Sequence, residues 1–497
     1  MSVRMSITAA ALALLASEAN AQFSSANPNV ILIVLDDLGT EHLNFYGQSA
    51  SYPPTPNLDA LRQGGILFTK AYSNPMCSPT RAEIMTGRYA FRTGMGYIVE
   101  NNPAPQYTLP DAEVFLPEML DQGFGSSGVQ YASGLFGKWH LAEHTDYQHP
   151  IRNGFDLFYG HMTNPGQHHY WQLVKADANT VSVGMIGSPS GPFDESTWDA
   201  SLVRSAAVDW INARTTPFFS CVNFSPPHAP HQVPPATAVS AATKAAISAA
   251  GLAPGDIVGQ GHAQFEPAYR WMIEAVDTEI GRLLGGISPA ILSNTMVVVF
   301  GDNGAHGLVL PAPLVTHGKR SVYEYGTRVP MIVSGPLVTT PGASCSQLVQ
   351  AVDLWKTIGS ITGADWNLSC PSSQCPAGPL DSFNFKNLIQ NPSATALRRY
   401  LLTQIYIPNG PYTPSPTAMP AGLATHLRAV TNGTYKVIRK LDSSGLFYNE
   451  EAYHLGNDPD ELCNLLAQPP FAACTPSAND LTVINVLRQT LTNLSGL

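Results

Sequence analysis

The sequence predicts an α/β fold in which helices sandwich a mostly parallel central sheet, with a smaller C-terminal antiparallel sheet subdomain. Two observations support this prediction. Up to about residue 396, short continuous apolar runs alternate with helical patterns, as is typical of parallel strands buried on both faces. Beyond that point the segments are shorter and alternate between apolar and polar residues. We therefore expect a catalytic α/β domain at residues 22–396 and an α+β subdomain at residues 397–497.

The expected elements follow in chain order. Apolar runs predict main-sheet strands at 29–35, 134–138, 217–224, 295–300 and 329–333. Helices are expected at 55–64 and 78–87, each with a proline near its start, and at 264–284, which has helical apolar spacing. Shorter strands are expected at 400–405, 427–431 and 435–441, and Gly433 marks the turn between the last two.

The composition is that of a globular protein with a low surface charge. Of the 497 residues, 44% are hydrophobic and 12% are charged, and the formal net charge is -10. This argues against a nucleic-acid partner, because such binding depends on positive charge placed against phosphates. An anionic substrate must therefore be attracted by positive side chains gathered locally.

The N-terminus has the pattern of a secretory signal peptide at residues 1–21. Arg4 provides a positive start, Ile7–Ala16 is a short apolar stretch, and Ala19–Ala21 is an A-x-A cleavage site. The apolar stretch is too short to cross a bilayer, and no later segment is long and apolar enough to do so. We therefore expect a periplasmic or secreted protein with no membrane span.

Two pairs of oxygen-bearing side chains each follow directly after an apolar strand. Asp36 and Asp37 follow the first strand, and Asp302 and Asn303 follow the strand at 295–300. An isolated Asp-Asp pair would more simply be a solvated turn. Adjacent carboxylates repel unless they are exposed or share a cation, and hard divalent cations prefer oxygen ligands. The two pairs together predict such a cation, whereas no His or Cys cluster has zinc spacing.

Cys77 begins a predicted helix with the pattern C-x-P-x-R, which Pro79 and Arg81 complete. The free N–H groups and the dipole at a helix start suit an anion. Arg81 lies one turn further along, on the same face of the helix. By itself, this pattern also fits a reactive or buried thiol that carries no modification.

Basic side chains follow in three later segments. Residues 137–141 read G-K-W-H-L, so Lys138 and His140 are expected to point the same way in extended chain. Lys138 can bind an anionic oxygen and His140 can accept a proton, although alone they would equally describe a surface lysine beside a core histidine. His228 follows the strand at 217–224, and Lys319 lies in segment 318–330.

In this order, these segments resemble the type I, formylglycine-dependent sulfatases, which are arylsulfatase-like members of the alkaline phosphatase superfamily. The resemblance covers about residues 28–466 and includes segment 318–330, which is similar to the family pattern G-K-x-x-x-Y-E-G-G-x-R-V-P. Tyr325 stands where the family usually has glycine, and we expect it to alter the packing of this loop. Glu324 and Arg328 are expected to pair.

The resemblance implies that residue 77 is oxidised to formylglycine by a maturation machinery that recognises C-x-P-x-R. It also implies one bound Ca²⁺, with Mg²⁺ or Mn²⁺ less favoured. The implied catalytic residues are Cys77, Arg81, Lys138, His140, His228 and Lys319. The implied metal ligands are Asp36, Asp37, the modified Cys77, Asp302 and Asn303.

The implied reaction is the hydrolysis of a sulfate ester of a small molecule or carbohydrate. One hydroxyl of the hydrated aldehyde attacks sulfur, and the second lets sulfate leave as the aldehyde re-forms. His140 takes the proton of that second hydroxyl, and His228 or Lys319 protonates the leaving alcohol. Carbohydrate, aryl and alkyl sulfates all remain open as substrates.

Two other functions remain open. A phosphonate or phosphate ester hydrolase of the same superfamily can share this nucleophile and metal site. Comparing the rates of hydrolysis of the sulfate and phosphate esters of one nitrophenol would distinguish it from a sulfatase. A non-catalytic binding protein would keep the fold and lack the aldehyde at residue 77.

Segment 161–215 matches no family motif, so we expect substrate choice to be decided there. Its cluster of ring side chains either lines a pocket for a sugar or aromatic ring or forms a loop packed on the domain. The residues concerned are His161, His168, His169, Tyr170 and Trp171.

Six of the seven cysteines remain once Cys77 is set aside for catalysis. An exported chain permits disulfides, and Cys463 and Cys474 are expected to pair because they lie close together in sequence. Cys221 stands in an apolar run and is expected to be a buried free thiol. The candidates for a second disulfide are Cys345, Cys370 and Cys375.

Overall fold

The structure is a computed structural model. It describes residues 27–49, 51–99, 107–121, 129–188, 193–364, 379–407, 409–410, 426–441, 447–467 and 474–495. The predicted signal peptide at residues 1–21 lies outside the described residues, as do Cys370 and Cys375.

The strands and helices alternate along most of the chain. The strands are β1 Asn29–Leu35, β2 Gly65–Phe68, β3 Ala71–Tyr72, β4 Ala132–Lys138, β5 Leu157–His161, β6 Trp171–Asp177, β7 Val181–Ile186, β8 Phe218–Phe224, β9 Thr295–Gly301, β10 Met331–Ser334, β11 Ser344–Cys345, β12 Val349–Gln350, β13 Leu401–Tyr406, β14 His426–Thr431, β15 Tyr435–Leu441 and β16 Phe447–His454. The α-helices are α1 Pro56–Gly64, α2 Cys77–Thr86, α3 Ala90–Thr93, α4 Leu116–Asp121, α5 His149–Arg152, α6 Asp199–Asn212, α7 Ala241–Ala249, α8 Phe265–Gly286, α9 Pro289–Leu292, α10 Glu324–Thr327, α11 Asp353–Thr362, α12 Lys386–Gln390 and α13 Ala478–Ser495. Among the helices described here, none has both the length and the apolar character needed to cross a membrane.

Ten strands form the main sheet in the order β11-β2-β10-β9-β1-β8-β4-β5-β6-β7. Its central strands β9, β1, β8, β4 and β5 are parallel to one another. Strand β10 runs antiparallel to both neighbours, and β6 is antiparallel to β5 and β7. A separate four-stranded antiparallel sheet has the order β13-β14-β15-β16. The α/β prediction, with a mostly parallel sheet and a smaller antiparallel one, is confirmed.

Burial on both faces explains the continuous apolar runs. Alternate residues of a strand point to opposite faces, so Val30 and Leu32 enter one hydrophobic core while Ile31 and Ile33 enter the other. Helices α2 and α11 contribute to the first core, and α6 and α8 contribute to the second. The sheet is therefore sandwiched, and its loops lie at the strand ends.

The cysteines follow the prediction in part. Cys463 and Cys474 form a disulfide, and Cys221 is buried and free, as expected. Cys345 is also free and buried, so it takes no part in the predicted second disulfide. The physical reason is its position on β11, where pairing with β2 places it in the first hydrophobic core.

Candidate active site

Four acidic and amide side chains meet where two central strands end. Asp36 and Asp37 follow β1, and Asp302 and Asn303 follow its parallel neighbour β9. The carboxyl ends of parallel neighbours share one edge of the sheet. The backbone N–H of Asp37 donates to Asp302 Oδ1 at 3.2 Å, and Asn303 Nδ2 donates to Asp37 Oδ1 at 2.7 Å. The structure thus brings four of the five predicted metal ligands together.

The side chains of this cluster fit a hard cation. Ligand atoms of Asp36, Cys77 and Asp302 lie within 4.8 Å of one another, and all three residues are buried. Asp36 Oδ1 and Asn303 Oδ1 are buried, and neither has a hydrogen-bond partner in the described part of the chain. Buried oxygens normally have partners, and a set rich in carboxylate and amide oxygens suits Ca²⁺ or Mg²⁺.

Cys77 is the first residue of α2, whose ten residues are all buried. The hydroxyls of two residues hold the start of this helix. Ser78 Oγ accepts from the Val99 N–H at 3.2 Å, and Thr80 Oγ1 accepts from the Asn74 N–H at 3.0 Å. Residue 77 is therefore positioned at a helix start, where free N–H groups favour a negatively charged group.

Arg81 connects helix α2 to the ends of β9, β4 and β1. Its Nε and Nη2 donate to Asp302 Oδ2 at 3.0 and 2.8 Å. Its Nη1 donates to the Lys138 carbonyl at 3.0 Å, and Nη2 lies 3.8 Å from Asp36 Oδ2. Such charge-assisted contacts are strong in a buried site, so Arg81 positions the helix that carries Cys77 against the acidic cluster.

Lys138 is the last residue of β4, and His140 lies two residues further on, where the backbone is not extended. Lys138 Nζ lies 2.5 Å from Asp36 Oδ2, and both side chains are fully buried. His140 has a φ of 62°, so the extended chain expected for Lys138 and His140 does not hold at His140. The reason is that β4 ends at Lys138, whose carbonyl accepts from Asn223 Nδ2 at 2.7 Å.

The imidazole of His140 contacts the predicted nucleophile. His140 Nδ1 lies 3.3 Å from Cys77 Sγ, and His140 Nε2 lies 3.0 Å from the Val99 carbonyl oxygen. A carbonyl only accepts, so Nε2 carries the proton and Nδ1 is left as an acceptor towards residue 77. Burial, together with the charge of Lys138, lowers the pKa of His140 well below its usual value. This histidine is therefore a neutral proton acceptor.

His228 and Lys319 lie on either side of Asp37. Lys319 Nζ is 2.6 Å from Asp37 Oδ1, and His228 Nε2 is 3.7 Å from Asp37 Oδ2. Their side chains are 9% and 13% exposed, whereas the other four predicted catalytic residues are at most 3% exposed. A substrate would therefore reach the cluster from the side of His228 and Lys319.

The charges in the cluster shift pKa values in opposite directions. Burial raises the pKa of Asp36, but the surrounding positive charges, with Lys138 the largest, together outweigh it and hold that pKa well below its usual value. Burial acts against the charged form of Lys319, yet Asp37 raises the pKa of this lysine. Burial and the charge of Asp36 raise the pKa of Asp302 to about 7. A bound cation would favour the ionised carboxylate at this position.

A buried pair behind His228 was missed at the level of sequence. His168 Nδ1 lies 3.1 Å from Asp199 Oδ2, and His168 Nε2 lies 3.0 Å from the His228 carbonyl oxygen. Both partners accept, so both ring nitrogens of His168 donate. Burial lowers the pKa of His168, but the charge of Asp199 and the hydrogen bonds to Asp199 and the His228 carbonyl together outweigh it and raise that pKa. No motif marks these residues, although a histidine and an aspartate in an unmatched segment were a weak signal.

The ring side chains of segment 161–215 separate into two groups. His161, Tyr170 and Trp171 line one cavity. His168 is instead paired with Asp199, and His169 contacts the Gln232 amide through Nδ1 at 2.6 Å. Both expected arrangements, a pocket and a packed loop, are therefore present.

The expected pair between Glu324 and Arg328 is replaced by other contacts. Glu324 Oε1 lies 2.7 Å from Lys436 Nζ, whereas Arg328 Nε donates to the Thr69 carbonyl at 3.0 Å. The reason is tertiary, because β15 of the small sheet places Lys436 against the start of α10.

Comparisons with known proteins identify relatives of this chain. A family model described as Sulfatase matches residues 28–364. An N-acetylgalactosamine-6-sulfatase of Sus scrofa is 30% identical over 364 residues, which cover 68% of this chain and 63% of that protein. A steryl-sulfatase of Homo sapiens is 26% identical over 403 residues, which cover 69% of this chain and 67% of that protein. The chain thus spans less than two thirds of the N-acetylgalactosamine-6-sulfatase.

Solved structures share the fold over nearly the whole chain. A sulfatase from a Pseudoalteromonas species has a TM-score of 0.66 and 20% identity, and covers 96% of this chain and 93% of its own. A protein solved with D-glucosamine-2-N,6-O-disulfate, described as its substrate, has a TM-score of 0.64 and 20% identity, and covers 95% of this chain and 98% of its own.

Proposed function

Because this chain belongs to the sulfatase family, we propose that it hydrolyses sulfate esters and releases inorganic sulfate. The observation that carries this proposal is the arrangement around residue 77. The thiol lies 3.3 Å from a neutral histidine and within reach of an acidic cluster with two unpartnered oxygens. Two lysines in contact with those acids supply positive charge to an otherwise acidic protein.

We infer that Cys77 is converted to formylglycine by a maturation machinery. As a hydrate, that residue would supply one hydroxyl to attack sulfur and a second to expel sulfate from the resulting sulfate ester. His140 supports this assignment, because its Nδ1 is an acceptor directed at residue 77. His140 would accept the proton that the second hydroxyl loses. An unmodified cysteine has a single thiol and no hydroxyl, so this route to sulfate release requires the modification.

The substrate would be held by the positive side chains of the site. Lys138 and Lys319 can neutralise sulfate oxygens as charge moves onto the leaving alcohol. His228 and Lys319 are the most exposed catalytic residues, so they face the side from which the alcohol part enters, and either can protonate its oxygen. A sulfated carbohydrate is the proposed substrate class, in keeping with the sugar sulfates that a relative and a structural neighbour are named for.

The proposed cation is Ca²⁺, held by Asp36, Asp37, Asp302, Asn303 and modified residue 77. When bound, it would polarise a sulfate oxygen and favour the ionised form of the hydrate. Asp36 Oδ1 and Asn303 Oδ1 are buried and have no hydrogen-bond partner among the described residues, which supports this ligand set.

The function is tested by Cys77→Ala. The protein is produced with the maturation machinery, and the peptide that contains residue 77 is checked by mass for the aldehyde. Turnover of 4-nitrophenyl sulfate should fall to background in Cys77→Ala because no hydrate can form, while circular dichroism and Tm stay near wild type. An active, folded Cys77→Ala protein would refute the assignment. A faster wild-type rate on 4-nitrophenyl phosphate would favour a phosphate ester hydrolase.

The cation is tested by Asp302→Asn. After chelation, adding Ca²⁺ should raise the Tm of the wild-type protein, since a ligand bound only to the native state stabilises it. The shift should be lost in Asp302→Asn and kept in Asp209→Asn, which changes an exposed aspartate of α6. Equal shifts in all three proteins would show that these ligands do not hold the ion.

A further inference from the structure

A cavity of about 410 Å³ lies beside the proposed active site. It is formed where β5 ends and β6 begins, and its lining includes His161, Met162, Asn164, Gln167, Tyr170 and Gln172. Its volume falls within the roughly 300–1,000 Å³ that is usual for ligand pockets. None of the proposed catalytic residues is among the described residues that line this cavity.

Backbone hydrogen bonds join the wall of this cavity to the segment that carries Lys138 and His140. The His140 N–H donates to the Met162 carbonyl at 2.8 Å, and the Trp139 N–H donates to the His161 carbonyl at 3.0 Å. Strands β4 and β5 are parallel neighbours in which Lys138 pairs with His161. The cavity is therefore one strand away from Lys138 and His140, at the same edge of the sheet.

Two side chains of the cavity lining each have an oxygen without a partner in the described part of the chain. Asn164 Oδ1 and Gln167 Oε1 are buried, and neither has a hydrogen-bond partner among the residues that the structure describes. Both oxygens expose almost no surface, so each would meet a ligand hydroxyl or N–H once its side chain turns into the cavity, which would also remove the cost of about 1–3 kcal/mol of a buried unpaired acceptor. The exposed Gln172 and the half-buried Tyr170 add further hydrogen-bonding groups and an aromatic face.

The lining also lacks fixed charges, and its two histidines are the exposed His144 and the buried His161. None of the described residues that form the cavity is Asp, Glu, Lys or Arg. Burial lowers the pKa of His161 to about 4, so this ring is neutral as well. A second sulfate or a carboxylate placed here would therefore lose its hydration without gaining a counter-charge.

We propose that this cavity is the subsite for the alcohol part of the substrate, and that it takes a neutral ring rich in hydroxyl or amide groups. Asn164 and Gln167 accept from the hydroxyl or N–H groups of the ring. This inference rests on the proposed function, and it narrows the substrate to a sugar whose ring carries no second negative charge.

The test compares two substrates in two variants. In Asn164→Ala and Gln167→Ala, kcat/KM for a monosulfated N-acetylhexosamine should fall about tenfold through KM, as expected for a lost hydrogen bond. The rate on 4-nitrophenyl sulfate, which has no ring hydroxyls, should change less than about twofold. Gln489→Ala, which changes an exposed glutamine of α13, should alter neither rate. Equal losses on both substrates, or no loss on either, would overturn the proposal.

The charge argument is tested with the same sugar carrying a second sulfate. The wild-type kcat/KM should be at least about tenfold lower than for the monosulfated sugar, because the lining supplies no counter-charge. A preference for the disulfated sugar would overturn the inference.

Binding separates this inference from the proposed function. The affinity of the monosulfated sugar is measured by calorimetry in Cys77→Ala protein with and without Asn164→Ala. Weaker binding in the double variant supports the subsite, and unchanged binding overturns it. A wild-type protein that carries the aldehyde and hydrolyses no sulfate ester would instead overturn the proposed function.

Discussion

At the scale of single residues, the candidate site depends on two residues whose backbones adopt an unusual conformation. Asp37 and His140 both have left-handed backbones, with φ of 63° and 62°. Such conformations cost about 1–3 kcal/mol and persist where surrounding contacts impose them. The Asp37 carbonyl accepts from Tyr269 OH at 2.6 Å, and its carboxylate is held by Asn303 and Lys319. These contacts fix the turn that presents Asp37 to the cluster.

A single buried acid in the next turn should control stability at alkaline pH. Burial raises the pKa of Glu41 from 4.5 to about 8. The folded state therefore favours the protonated form, and the stability this provides is full below pH 4.5 and is lost as pH rises towards 8. Replacing Glu41 by Gln should remove this loss, so the free energy of unfolding should fall less between about pH 7 and 8.5 than in the wild type.

Urea denaturation at these pH values measures the difference. The window avoids His42, because burial lowers its pKa to about 3 and its proton binding changes on unfolding only below its usual pKa. Glu143→Gln, which changes an exposed glutamate, should keep the wild-type slope. The same slope in Glu41→Gln would contradict the prediction.

At the scale of elements, the parallel strand ends bring distant segments together. Strands β1 and β9 deliver the acids, β4 delivers Lys138, and helix α2 delivers residue 77. Helix α6 contributes less directly, since its first residue, Asp199, pairs with His168, which in turn donates to the His228 carbonyl. The helix start thereby positions a predicted catalytic histidine.

Asp199→Asn should test this positioning. Without the carboxylate charge, His168 loses the partner that raises its pKa. A neutral His168 carries one ring proton, so its hydrogen bond to the His228 carbonyl is no longer assured. We expect kcat on a sulfate ester to fall about tenfold, the effect of about 1.4 kcal/mol in the barrier. Asp209→Asn on the same helix should leave kcat unchanged, and equal kcat values in both variants would rule out this role.

At the scale of the whole molecule, the small C-terminal sheet holds the loop that carries Lys319. Lys436 Nζ on β15 lies 2.7 Å from Glu324 Oε1 and 3.0 Å from Glu461 Oε1. The hydroxyl of Tyr325, which replaces the usual glycine, donates to Asp460 Oδ1 at 2.6 Å. Asp460 and Glu461 therefore anchor the loop that carries Lys319.

Lys436→Met should destabilise the protein strongly. It leaves Glu324 and Glu461 buried beside each other without the lysine that contacts both, and removing one partner of a buried ion pair costs about 3–5 kcal/mol. Lys440→Met on the same strand removes a pair with Glu451 that is partly exposed, where the expected loss is below about 1 kcal/mol. Chemical denaturation measures both variants, and equal losses would contradict this account.

Much of the frame is predictable because local spacing encodes it. The run at 29–35 became β1 with the same bounds, and the helix expected at 78–87 became α2 Cys77–Thr86. The antiparallel direction of β10 was not predicted, because an apolar run indicates burial and carries no information on strand direction. The expected ion pair between Glu324 and Arg328 does not form, because the Glu324 carboxylate pairs with Lys436 and Arg328 Nε donates to the Thr69 carbonyl.

Local patterns in the chain specify which residues follow the central strands, and therefore which acids, lysines and histidines are able to meet. Apolar runs form the strands, and the polar residues after each run form the loops at the strand ends. The folded arrangement is needed to show that His168 contacts the His228 carbonyl, that Asn164 and Gln167 line one cavity, and that Lys436 contacts the loop that carries Lys319. These contacts depend on distance and charge across the folded sheet, between segments that have no common pattern in the chain.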